Sequence, residues 1–248
     1  MNNRLVIIPT YNERENIEDI INAVFLLSVK FDILIIDDNS PDGTAEIVTK
    51  LQQQYPDQLH IIERLGKQGL GTAYITGFRF ALEKGYDYIF EMDADFSHNP
   101  LDLIELHKAC QTNGIQMAIG SRYVTGVNVV NWPMGRVLMS YFASKYVKFI
   151  TGLPVDDATA GFICYHRSVL ETLDLDKIKF IGYAFQIEMK FLTWKHGFGL
   201  KEVPIIFTDR SRGVSKMSKK IFREAIFGVI QMKLSSLFRK YPKYNQTA

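Results

Sequence analysis

Short apolar runs alternate with segments of helical period through the first half of the chain. "RLVIIP" (4–9), "DILIID" (32–37), "LHIIE" (59–63), "YDYIFEMD" (86–93) and "QMAIGS" (116–121) have the length and aliphatic content of buried strands. Between them, segments near 13–29, 43–54, 71–84 and 100–112 repeat apolar positions at helical spacing. The alternation predicts an α/β fold, a mostly parallel twisted sheet covered by helices on both faces.

The second half is less regular. Residues 135–152 read as a helix, "ATAGFICYHRS" as a strand leading into a helix, and 183–197 as a helix ended by Gly197. "LKEVPIIFTDR" reads as a strand that Pro204 assigns to a sheet edge. Residues 218–240 form a basic amphipathic helix with Gly228 as a weak point in its middle. Phe222, Ala225, Ile226, Val229, Ile230, Leu234, Leu237 and Phe238 make its apolar stripe. The expected division is a catalytic domain over 1–217 and, over 218–248, this helix with a polar tail.

Parallel strands share one carboxyl edge, and ligands of open α/β sheets bind beyond it. Three strand ends carry polar clusters: "PTYNERE", "DDNSPDG" and "DADFSH". They should converge on one cleft. Asp93 and Asp95, one residue apart, can point the same way and repel each other unless a cation sits between. A hard ion, Mg²⁺ or Mn²⁺, bridging to phosphates suits them; the plainer reading, that one aspartate caps the next helix, stays open. Asp37 and Asp38 offer turn chemistry, or an acceptor for the N–H edge of guanine or uracil. Tyr11 and Glu13 can pack on a base and bond a ribose, although "NERENIED" also fits an ordinary acidic first turn. Arg122, Arg210, Arg212 and Lys216 are candidate phosphate ligands.

"RLGKQGLGTAY" (64–74) lacks both the dinucleotide fingerprint and the P-loop pattern. The five histidines lack zinc-ligand spacing. Of 248 residues, two are cysteines, Cys110 and Cys164, both in apolar surroundings and expected to be buried thiols. With no signal-type leader and no apolar run of spanning length, a cytoplasmic location is expected. Net charge is +2, yet Arg210–Lys243 alone carries ten bases against Glu224, +9, so the remainder sums to −7. A basic end on an acidic body suggests an anionic partner met there.

"IPTYNERENI", "IIDDNSPDGTA", "GKQGLGTAYITGF", "MDADFSHNP", "GSRYVTG", "GYAFQIEM" and "EVPIIFTDRSRGVSKMS" together resemble the polyprenol (dolichol) phosphate mannose synthases of glycosyltransferase family 2. The resemblance spans roughly residues 4–220 and implies a GT-A type nucleotide-sugar-binding fold. It implies nucleotide contacts from Pro9, Tyr11, Glu13, Ile36 and Asp38, and donor and metal contacts from Asp93, Ala94 and Asp95. It also implies phosphate contacts from Arg122, Arg210 and Lys216. The activity it implies is inverting transfer of mannose from GDP-mannose to a polyprenyl phosphate, with Mg²⁺ or Mn²⁺. The expected setting is peripheral, on the inner face of the cell membrane, with no nucleic acid involved. One departure stands out: Ile163 occupies the place of an arginine common in the family, which bears on acceptor contacts.

Three other readings compete. The same scaffold can serve a UDP-glucose type donor. Strand–DxD also opens haloacid-dehalogenase-type phosphatases, but there on the first strand, whereas here three αβ units precede it. A non-catalytic nucleotide-sugar binder would not need Asp93, Asp95, Arg210 and Lys216 all present.

Overall fold

The computed structural model describes residues 3–209 and 219–244. β1 (Arg4–Thr10) leads to α1 (Ile17–Phe25), β2 (Asp32–Asp37) to α2 (Thr44–Leu51), and β3 (Leu59–Glu63) to α3 (Leu70–Lys84). Next come β4 (Tyr88–Glu91), α4 (Asp102–Cys110) and β5 (Met117–Ser121). The second half adds β6 (Val129–Val130), α5 (Met134–Thr151), β7 (Ile163–His166), α6 (Arg167–Thr172) and α7 (Tyr183–Lys195). β8 (Leu200–Pro204), β9 (Phe207–Thr208) and α8 (Lys219–Phe238) follow.

The main sheet runs in the order β3-β2-β1-β4-β7-β5-β8. β7 alone opposes its neighbours; β4 and β5 both pair with it antiparallel. Pro204 lies on the edge strand β8, as its missing N–H requires. Strand alternation divides the apolar residues between two cores. Leu5 and Ile7 face α3, α6 and α7, while Val6 and Ile8 face α1 and α4. Ile163 is fully buried in the first core, so this position is here a packing position. Cys110 and Cys164 are both buried free thiols.

α8 runs unbroken through Gly228, whose place follows from packing. A Cβ there would stand 2.7 Å from the Phe180 ring. The expected single apolar stripe divides in two. Val229 and Met232 are buried against α5 and α7, whereas Phe227, Leu234, Leu237 and Phe238 are exposed by 55 to 91%. The side chains of Phe222 and Ala225 lie outside the described residues. Among the described residues no helix is long and apolar enough to cross a membrane.

Gly77 in α3 lets that helix settle onto β1: a Cβ would come 2.7 Å from Ile7 Cδ1 and Cγ2. Alanine would gain about 1 kcal/mol of helix propensity. Overpacking a β-branched residue in a central strand costs about 1–3 kcal/mol. Gly77→Ala should therefore lower the thermal midpoint. Gly135→Ala, where the added Cβ meets open space, should not. Equal behaviour of the two variants in thermal melts would refute this account of the packing.

Candidate functional site

Strand order reverses between β1 and β4: β2 and β3 extend to one side and the later strands to the other. The chain ends of β1, β2 and β4 therefore open onto a switch-point crevice. Tyr11 and Glu13 follow β1, Asp38 follows β2, and Asp93 to Asp95 follow β4. Pro9 and Ile36 are register partners below them, and Ile36 is fully buried. The three polar clusters of the sequence do share one edge.

The paired aspartates after β2 separate by role. Asp37 is structural: it accepts from Thr10 Oγ1 at 2.7 Å, Ser40 Oγ at 2.6 Å and Ser40 N at 2.8 Å. It thus ties β1 to the turn. Asp42 Oδ1 accepts from Thr44 N at 3.1 Å and Oγ1 at 2.6 Å, which starts α2. Asp38 has a different partner: Arg64 Nε donates to its Oδ1 at 2.6 Å. Glu13 Oε2 accepts from Asn16 Nδ2 at 3.1 Å just ahead of α1, and Lys67 Nζ stands 5.0 Å from the Tyr11 ring centre.

After β4 the chain makes a tight turn. Asp95 is buried, and its Oδ1 accepts from Ser97 Oγ at 2.6 Å and Ser97 N at 3.1 Å, with Phe96 between them at φ +58°. Asp93, less buried, lines the cavity described below, and Ala94 between them is buried. His98 Nδ1 accepts from Asp93 N at 3.3 Å, and its ring stacks on Phe162 at 4.6 Å. Burial pushes the His98 imidazole down to about 4 against the pull of Asp95, so it is a neutral acceptor at physiological pH. Among the described residues no three acidic, histidine or cysteine side chains cluster as a metal cage. Two carboxylates alone fit a hard cation that completes its shell with phosphate oxygens and water. They do not fit a structural zinc.

Arg122, at the end of β5, is buried and bidentate on Asp157: Nε to Oδ2 and Nη2 to Oδ1, each 2.7 Å. Nη2 also reaches Thr159 Oγ1 at 2.8 Å. Burial alone would raise the Asp157 carboxyl, but the guanidinium holds it below the ordinary carboxylate range. The segment 156–161 is pinned from two more sides. Glu202 on β8 accepts from Asp156 N and Asp157 N at 2.8 and 2.9 Å. Lys190 on α7, fully buried, donates to the Ala160 carbonyl at 2.6 Å. Burial pushes that amine down to about 8. Glu91, also fully buried, accepts from Gln186 Nε2 at 2.6 Å, and burial pushes it up to about 8.

These elements enclose a cavity of about 490 Å³. Asp93, His98, Arg122, Arg136 and Gln186 supply its polar wall. Its apolar wall comes from α5, α7 and α8, with Met139, Phe142, Val147, Ile187, Ile226 and Val229 among the contributors. On the polar wall, Arg136 Nη1 donates to Asp209 Oδ1 at 2.9 Å and its guanidinium lies 4.1 Å from the Trp132 ring centre. Arg210, Arg212 and Lys216 lie outside the described residues. His98, Trp132, Arg136, Gln186 and Lys190 were not singled out by the sequence. Gln186 and Glu91 are 95 residues apart, so no local motif joins them. Arg136, two residues into a helix beside "NWP", was the one signal open to reading.

Comparison with known proteins now bears on this arrangement. The family described as "Glycosyl transferase family 2" matches residues 5–174. A polyprenol monophosphomannose synthase from Mycolicibacterium smegmatis is 46% identical over 92% of this chain and 85% of its own. An undecaprenyl-phosphate mannosyltransferase from Micrococcus luteus is 42% identical over 94% of both chains. A dolichol-phosphate mannosyltransferase from Pyrococcus furiosus is 37% identical over 88% of this chain and 60% of its own. Among solved structures, a Pyrobaculum calidifontis mannosyltransferase in complex with GDP-Man and Mn²⁺ superposes with TM-score 0.60 at 18% identity, covering 96% of this chain and 64% of that one. The glucosyl-3-phosphoglycerate synthase of Mycobacterium tuberculosis, with Mn²⁺, UDP and glucosyl-3-phosphoglycerate, gives 0.64 at 18% identity, covering 93% and 78%. These structural likenesses establish the fold.

The Arg122–Asp157 pair yields a stability prediction. Removing one partner of a buried pair strands the other charge and costs about 3–5 kcal/mol. Asp157→Asn should therefore unfold at markedly lower urea. Because the folded carboxyl titrates below its ordinary value of 3.8, its contribution is present above that pH and lost as pH falls through the folded value. The difference between wild type and Asp157→Asn should then be largest near neutrality and shrink below about pH 4. A pH-independent difference would overturn the assignment.

Proposed function

The chain belongs to glycosyl transferase family 2, and from that membership we propose that it moves mannose from GDP-mannose to a polyprenyl phosphate, with inversion at the anomeric carbon. The observation that carries the reading is the single cavity that joins Asp93 to the apolar walls of α5, α7 and α8. A polar end suits a nucleotide sugar and an apolar end suits an isoprenoid tail. The names of the relatives from Mycolicibacterium and Micrococcus support the mannosyl group and the polyprenyl phosphate acceptor, and the Pyrobaculum mannosyltransferase complex with GDP-Man supports the choice of donor.

In this reading Pro9, Tyr11, Glu13, Ile36 and Asp38 hold the nucleoside. Asp95 and Asp93, flanking Ala94, hold Mg²⁺ or Mn²⁺, which supplies positive charge to the departing diphosphate. Arg210 and Lys216 add to that charge; Arg210 follows in sequence on Asp209, which is held by the cavity-lining Arg136. Arg122 and Arg136 face the acceptor phosphate. An oxygen of that phosphate, ionised near neutral pH, attacks C1 of the sugar in line as the bond from C1 to the diphosphate oxygen breaks. GDP departs, and no strong general base is required. The catalytic unit is residues 1–217, and 218–248 supplies the membrane contact.

We place the protein peripherally on the cytoplasmic membrane face. α5 exposes Leu138, Phe142 and Phe149, and α8 exposes Phe227, Leu234, Leu237 and Phe238. Lys145 and Lys148 accompany the first set, and Lys233, Arg239 and Lys240 the second. Apolar side chains rimmed by lysine and arginine match an anionic interface.

Two experiments test this. With GDP-mannose, UDP-glucose and other nucleotide sugars offered against one short polyprenyl phosphate, only GDP-mannose should give product. EDTA should stop the reaction, Mg²⁺ or Mn²⁺ should restore it, and Asp95→Asn should abolish it with the fold intact. Full turnover in chelator, or a preference for UDP-glucose, defeats the corresponding assignment.

Membrane contact is probed on the exposed faces, because cutting α8 away would uncover Val229 and Met232. Phe227→Glu with Leu234→Glu should reduce co-sedimentation with anionic vesicles about tenfold or more, leaving GDP binding unchanged. Unaltered sedimentation would remove the membrane role from α8.

A further inference from the structure

At the β2–β3 end of the crevice lies an ion pair that no motif announced. The side chains of Arg64 and Asp38 are only 7% and 11% exposed. Arg64 reaches Asp38 through a single carboxylate oxygen: Nε donates to Oδ1 at 2.6 Å, and Nη2 contacts the same atom. The rest of the guanidinium is fixed from the opposite side. Nη1 donates to Thr72 Oγ1 at 2.7 Å and Nη2 to the Gly69 carbonyl at 3.4 Å. Thr72 Oγ1 itself donates to that carbonyl at 2.8 Å. Below the pair, Arg64 N donates to the Asp37 carbonyl at 2.8 Å, which sets where the side chain starts.

These contacts leave a remainder. They engage Asp38 through Oδ1 and Arg64 through Nε, Nη2 and one N–H of Nη1, so Asp38 Oδ2 and the second N–H of Nη1 are not used by them. An acceptor oxygen and a cationic donor, locked side by side by three other groups, complement an edge that carries a donor next to an acceptor. Guanine presents such an edge in N1–H beside O6. Arginine is a frequent partner of guanine O6 where bases are read. The position is suitable. β2 and β4 are separated by β1 alone, so Asp38 and Asp93 stand about two strand spacings apart, roughly 10 Å. That matches a nucleotide lying across the strand ends with its base at Asp38 and its diphosphate at Asp93.

Resting on the reading of this crevice as a nucleoside diphosphate site, we propose that Arg64 is a base-reading residue. Its guanidinium donates to guanine O6 while Asp38 accepts from N1–H, and the anchors at Thr72 and Gly69 hold that geometry before the nucleotide arrives. A lysine cannot substitute, since one ammonium cannot hold Asp38, Thr72 and Gly69 while also meeting the base.

Titration calorimetry with GDP and 6-thio-GDP isolates the contact, because sulfur at position 6 weakens the acceptor and keeps N1–H. Wild type should prefer GDP by roughly tenfold, the loss of one charge-assisted hydrogen bond. Arg64→Lys, which keeps a positive charge beside Asp38, and Arg64→Met should bind both ligands with equal, weakened affinity. If Arg64 merely props Asp38, both ligands will lose affinity by one common factor and the preference will survive in the variants, which overturns the proposal. Equal binding of GDP and 6-thio-GDP by wild type overturns it as well, whatever the variants do. Failure of the underlying site is a separate outcome: wild type would then bind no GDP.

Discussion

A carboxylate sealed from water must be paired, and Asp157 is the point where this requirement shapes the molecule. It has no solvent exposure. It is met by a bidentate guanidinium from β5, and its own backbone N–H is held by Glu202 on β8. Lys190 on α7 then fixes the Ala160 carbonyl three residues on. Three elements from distant parts of the chain thereby hold one short segment, 156–161, whose Thr159, Ala160 and Gly161 wall the cavity. Replacing such charges by apolar groups often costs little stability. What they give here is position: a backbone wall that cannot drift while two substrates are brought together.

Much of the frame was legible because local pattern and tertiary burial agree. β2 and β3 fall on the residues expected, 32–37 and 59–63, since aliphatic runs bounded by turn residues admit few alternatives. α1, α2 and α4 begin later and end earlier than their apolar period suggests, whereas α3 and α5 each begin one residue before the expected start. α1 covers Ile17–Phe25 within the expected 13–29, because "NERE" is consumed by the turn that sets Glu13 beside Thr44. Local pattern alone did not separate the aspartates of one dipeptide, although the family resemblance singled out Asp38. Asp37 looks inward to Thr10 and Ser40, and Asp38 looks across to Arg64, a residue that reads as an ordinary strand-end cation. Gln186, Lys190 and Arg136 stayed hidden for the same reason: their roles come from contacts across tens of residues.

α8 shows how a pattern can be correct in outline and incomplete in meaning. Its apolar residues cover more than one face, and packing divides them: Ile226 and Val229 close the cavity, while Leu234 and Leu237 stay outside. A helix that served only a membrane would not carry Gly228 against Phe180. A helix that served only the core would not leave Phe227 and Phe238 exposed. The same element therefore completes the pocket and presents an exposed apolar face, which couples the apolar wall of the cavity to whatever surface that face meets.

The crevice collects Asp37, Asp38, Asp93 and Asp95, with Glu91 buried beneath, and the residues outside Arg210–Lys243 sum to −7. On the proposed reaction, a nucleoside diphosphate and a lipid phosphate, both anionic, must meet at this acidic edge. Coulomb repulsion at such spacing is only modest in water but rises steeply as the effective dielectric falls. Arg122 is largely committed to Asp157, Arg64 to Asp38 and Arg136 to Asp209, so much of the fixed positive charge near the crevice is already paired. The deficit can be met by a divalent ion on the aspartates and by the +9 segment that begins one residue beyond Asp209. Charge needed at one edge and charge supplied from one end of the chain are thus two sides of the same constraint.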